Sequence, residues 1–117
     1  MRHCVLGALL ILASTAQAHD IYTGVHGKNG QLCCGGNDCA ATTYREKGDR
    51  FEFLTREGRW VAIPQERITF LPVPGEVITD THQAHLCYRL SNPNDATNPM
   101  ISAMMADGIV LYCAFIP

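Results

Sequence analysis

Basic residues are scarce and scattered in this chain, with nine Lys and Arg set against eleven Asp and Glu. That balance argues against nucleic acid and anionic membrane as partners, because both need a concentrated positive face. The nearest thing to a basic cluster, Arg45, Lys47 and Arg50, is interleaved with Glu46 and Asp49. Catalytic signatures are missing as well. Neither Ser91 nor Ser102 stands in the Gly-x-Ser-x-Gly setting that exposes a nucleophile. No Cys-x-x-Cys pair occurs, which argues against a thioredoxin-like redox motif. Carboxylates fall singly, giving no visible support for a two-carboxylate hydrolase. No apolar run approaches the roughly 20 residues a membrane-spanning helix needs. These absences point to a non-catalytic protein without a membrane span.

What is present begins with the amino-terminal segment. "MRHCVLGALLILASTAQA" has a basic start at Arg2, an apolar run from Cys4 to Ala13, and the ending Ala16-Gln17-Ala18. This is the order of a cleaved secretory signal, with small residues where a signal peptidase cuts. Residues 1–18 are therefore expected to be removed, leaving 19–117 as one exported domain, periplasmic or secreted. Without Arg2 the remaining chain carries eight Lys and Arg against eleven Asp and Glu, a net charge near −3.

The body of the chain reads as a small antiparallel β domain with one short helix. Residues 19–36 are rich in Gly and polar residues and read as a loop. A short strand is expected over 41–44. Residues 51–55 and 59–63 then form a hairpin across Glu57-Gly58, with Phe51, Phe53 and Trp60 as packing residues. Further strands are expected over 68–71, ended by Pro72 and Pro74, and over 76–79 and 83–90. The polar stretch 91–98 is a loop. Asn98 and Pro99 are a helix cap and a first helical residue, opening a helix over 100–106 that Asp107-Gly108 stops. Residues 109–116 are apolar enough for a central strand.

Cysteine carries the strongest signal. After the export segment the chain keeps Cys33, Cys34, Cys39, Cys87 and Cys113, an odd number. A zinc site from Cys34 and Cys39 with His85 and Cys87 has tolerable spacing. Exported thiols are oxidised, however, which favours a disulfide framework in a domain too small to bury a large core. Adjacent Cys33 and Cys34 are poor partners for each other, since bridged Cα atoms normally lie about 4.4–6.8 Å apart. The expected bridges link the 33–39 cluster to Cys87 and Cys113. One cluster cysteine is left over, and if exposed it could join two copies of the chain.

The stretches "CCGGNDC", "HLC" at 85–87 and "CAFIP" near the carboxyl end, with "HDIY" after the signal, form a recognisable pattern. In it the chain resembles a set of small exported proteobacterial proteins of unassigned function. The resemblance implies a disulfide-stapled secreted domain and brings no activity with it.

The histidines carry the sharpest functional expectation. A chain beginning at His19 offers an α-amine, an imidazole and the intervening amide together, a nitrogen-rich set that suits Cu(II). His82 and His85, and more distantly His26, are candidates to complete it. Met100 and Met104, spaced i, i+4, with Met105, could add soft ligands, although methionine at that spacing more often fills a core. The expected function is an exported binding module, with copper as the leading ligand, through His19, His82 and His85. The alternative is a protein-interaction or inhibitor module of the cell envelope. Its contact surface would be the hairpin at 56–59 or the loop at 91–98.

Overall fold

The computed structural model describes residues 21–33, 38–74 and 83–117. The expected signal segment 1–18, His19, Cys34, the strand expected at 76–79 and His82 all lie outside the described residues.

The described residues form two sheets. The larger is built from β1 (Cys39–Thr42), β6 (Ala84–Leu90), β8 (Ile109–Phe115) and β5 (Ile68–Thr69), in that order, with β7 (Met105–Ala106) also pairing with β8. The smaller is an antiparallel three-stranded meander of β2 (Tyr44–Lys47), β3 (Arg50–Leu54) and β4 (Trp60–Ile63). The mainly β fold with one short helix and two disulfides is thus as expected. Within it β5 runs parallel to β8, while the other pairings are antiparallel.

Side-chain alternation sorts β6 onto two faces. Ala84, Leu86 and Tyr88 join Phe53, Val61, Ile63 and Ile68 in one core cluster, between the sheets. Cys87 belongs to a second cluster on the opposite face, with Cys33, Cys39, Cys113 and Phe115. A central strand buried on both faces needs apolar residues throughout. β8 meets that requirement and still keeps its cysteine on the correct side through a bulge. The register passes from Cys87↔Cys113 to Tyr88↔Leu111, so Tyr112 is an extra residue. The bulge reverses the alternation and leaves Leu111 and Ala114 both in the first cluster.

Two elements differ from the sequence expectation. The strand expected at 41–44 is two strands in two sheets, β1 and β2, separated at Thr43. The helix, α1, covers only Pro99–Ser102, capped as expected by the Asn98 side chain, which accepts from the Met100 and Ile101 amides. It is shorter because Asp107 and Gly108 are not a helix stop. Both have positive φ, 49° and 84°, the conformation of a two-residue hairpin turn, so Met105 and Ala106 pair with Val110 and Ile109. The i, i+4 face proposed for Met100 and Met104 therefore does not form, and Met100 is 79% exposed.

Candidate binding site

The second core cluster is where the chemistry-bearing residues gather. In the register, Cys39 lies opposite Cys87 on β6, and Cys87 lies opposite Cys113 on β8, so three cysteines form a row across three neighbouring strands. Cys39 is bridged to Cys87, and Cys113 is bridged to Cys33 in the amino-terminal loop. Both bridges join the 33–39 cluster to the distant cysteines, as expected from the sequence. They use four of the five cysteines of 19–117; Cys34 is the one that neither employs. All four sulfur-bearing residues are buried, which makes them structural rather than accessible thiols.

The Cys33–Cys113 bridge fastens the loop at 21–33 onto the sheet. The loop is internally braced: the Val25 amide donates to Tyr22 O, the Gly27 amide to Gln31 O and the Cys33 amide to Val25 O. Gln31 Nε2 also donates to the carbonyl of the bulged Tyr112, at 2.7 Å. Close approach is possible because residue 27 is glycine. A Cβ there would lie 3.0 Å from Cys113 Sγ and 3.1 Å from Gln31 Nε2. Tyr22 and Val25 complete the cluster from above.

His85, expected as a metal ligand, is only 2% exposed. Its Nδ1 is hydrogen-bonded to Tyr22 Oη at 2.7 Å, and the two rings meet edge-on. As placed, this histidine ties the loop to β6. His26 is exposed on the same loop, where it pairs with Leu32 in an isolated antiparallel bridge. Among the described residues, no three His, Cys, Asp or Glu side chains converge as a metal site.

Stapling the loop creates a groove. Ile21, Val25 and His26 form one wall, and Leu71, Pro72 and Pro74 the other, with Thr69 and Phe115 between them. Its volume is about 690 Å³, within the roughly 300–1,000 Å³ of ordinary ligand sites. Pro72 and Pro74 explain why it stays open: neither can donate to a sheet ladder, so the chain after β5 cannot continue as a strand. The groove was not legible in the sequence, since its walls are about 45 residues apart and joined through β8.

Residues 56–59 and most of 91–98, the surfaces expected to contact a partner, are exposed, and several of their polar groups also bond within the chain. In the 56–59 hairpin, Tyr88 Oη accepts from the Arg56 amide at 2.9 Å and donates to Glu57 Oε2 at 2.7 Å. That bond holds the Glu57 carboxyl below its usual range. Arg59 Nη2 donates to Asp107 O at 2.6 Å. In the 91–98 loop, Asp95 is buried and receives two bonds from Arg89, at 2.7 and 3.0 Å, plus the Asn92 amide at 2.7 Å. Those donors, Arg89 first, lower the Asp95 pKa, and the same pairing raises that of Arg89.

Comparison with protein-family models, curated proteins and solved structures gives no match for this chain. The class that the fold itself defines is a disulfide-stapled, two-sheet β domain. No helix among the described residues is long and apolar enough to cross a membrane.

Proposed function

We propose that the chain is an exported, non-catalytic binding module whose contact surface is the groove between the stapled loop and the segment after β5. The observation that carries this reading is the groove's construction. A disulfide, the Tyr22–His85 bond and the Gln31–Tyr112 bond fix one wall, and the lining is mainly apolar. A preformed site of this kind takes an apolar group at little ordering cost, either a small molecule or a side chain of a partner protein. Leu71, 64% exposed on the rim, is the side chain such a ligand meets first. Export is supported by the two long-range disulfides, which persist in oxidising compartments, and by the signal-like 1–18 segment.

The test is equilibrium binding of a neutral, fluorescent aromatic probe to the protein beginning at His19. Saturable binding is expected, weakened about tenfold by Leu71→Arg, a loss of about 1.4 kcal/mol, and unaltered by Arg56→Ala at the hairpin. Absence of saturable binding, or loss through Arg56→Ala alone, would overturn this choice of surface.

A second reading is Cu(II) binding at His19, and one contact favours it. Tyr22, three residues after His19 in the chain, is tied to His85. His85 acts in this version by positioning Tyr22 in the loop, and the donors are His19 with His82 or the exposed His26. Calorimetric titration with Cu(II) compares the chain beginning at His19 with one carrying an extra residue before it. Tight binding lost in the extended chain is expected; equal and weak binding by both excludes the reading.

A further inference from the structure

We propose that the native disulfides of this chain are reached by thiol–disulfide exchange rather than by direct oxidation, so the reaction that must supply the functional protein is a disulfide isomerisation performed by a thiolate catalyst. Three observations carry this. First, the native bridges span 80 and 48 residues, and Cys33–Cys113 passes over the three cysteines between its ends. Second, Cys33 and Cys34 stand six and five residues before Cys39, on a segment that contains Gly35-Gly36. Closure probability falls roughly as the three-halves power of loop length, so a local bridge to Cys39 forms about 20-fold more readily than Cys39–Cys87 and competes about 50-fold better for Cys33 than Cys113 does. Third, the folded sheet sets the cysteines where the wrong pairing is also feasible. Cys87 and Cys113 are direct cross-strand neighbours, and Cys39 Sγ lies 3.3 Å from the Cys33 carbonyl oxygen, so Cys33–Cys39 with Cys87–Cys113 is a competing arrangement of the same cluster.

The exchange balances as follows. A catalyst thiolate attacks Cys113 Sγ of a Cys87–Cys113 bridge, forming a mixed disulfide at Cys113 and releasing the Cys87 thiolate. Cys87, which the β1–β6 register sets opposite Cys39, attacks Cys39 Sγ of the Cys33–Cys39 bridge. Cys39–Cys87 forms and the Cys33 thiolate leaves. Cys33 attacks Cys113 Sγ of the mixed disulfide, giving Cys33–Cys113 and returning the catalyst thiolate. Two disulfides enter and two leave, with no net oxidation. Burial of the finished bridges then removes them from further attack.

The experiment oxidises the fully reduced chain 19–117, and its Cys34→Ala form, with a thiol-free azodicarboxamide oxidant. Acid-quenched samples are mapped by tandem mass spectrometry. In both chains the earliest bridges are expected within 33–39, in at least tenfold excess over Cys39–Cys87. Adding reduced and oxidised glutathione should then convert them to Cys33–Cys113 and Cys39–Cys87. Appearance of the two native bridges first and without thiol would overturn the proposal. So would local bridges that glutathione fails to convert. Retention of the Cys34→Ala series keeps the test independent of any pairing through Cys34.

Discussion

Gly27 illustrates how a single backbone position serves the stapled loop. Its φ is unremarkable, and the requirement is space: the missing Cβ admits Cys113 Sγ and the Gln31 amide to about 3 Å. Gly27→Ala is expected to destabilise the domain by about 1–3 kcal/mol, the usual cost of overpacking, as read from the urea midpoint. Tyr22→Phe removes the bond to His85 Nδ1 while keeping the ring. An expected loss of about 1 kcal/mol should come with faster hydrogen exchange confined to 21–33, since β6 holds His85 independently. Asp95 offers a pH test. Its folded pKa is lowered, chiefly by Arg89, so its stabilisation is complete above the unfolded value of roughly 3.9 and is lost as pH falls through the folded value. The 91–98 loop should therefore loosen on acidification below about pH 4. Asp95→Asn should show that loosened state already at neutral pH, measured by amide exchange.

Among the elements, the β7–β8 hairpin carries more of the architecture than its length suggests. Asp107 makes the turn and accepts the Ala62 amide on Oδ2 at 2.9 Å, satisfying a donor of β4 that would otherwise face outward. Arg67 donates to Met104 O and Leu111 O from the other side. Gly108→Ala would force a side chain into a positive φ and to within 2.9 Å of Arg59 Nη2, so a loss of about 1–2 kcal/mol is expected. Asp107→Ala should both lower the melting temperature and promote self-association, by freeing an edge amide; sedimentation at rising concentration checks it. This hairpin also marks where sequence reading failed. Asp-Gly after a methionine-rich stretch satisfies a helix ending and a hairpin turn equally, and only the pairing with Val110 and Ile109 decides between them. By contrast, Phe51, Phe53 and Thr55 announced their hairpin through alternation, and Asn98-Pro99 announced the start of α1, because those signals are local.

At the scale of the molecule, the disulfide framework was legible and the site it builds was not. Chemistry alone argued that Cys33 or its neighbours must reach Cys87 and Cys113. Nothing local shows that the resulting loop covers the second face of the larger sheet, or that Pro72 and Pro74 leave a groove opposite it. The histidine set was read from the terminus and from spacing, yet the buried face of β6 turns His85 toward Tyr22. The staple is expected to matter more than its length of chain implies. In the loop-entropy account an 80-residue closure is worth about 4.5 kcal/mol, and replacing Cys33 and Cys113 together by serine should remove that stability and the binding groove at once. The most direct test of the proposed binding is an amide chemical-shift titration of the chain 19–117 with toluene. Saturable shifts confined to Val25, His26, Thr69, Leu71 and Phe115 are predicted; no saturable shift, or shifts gathered on the 56–59 hairpin, would contradict it.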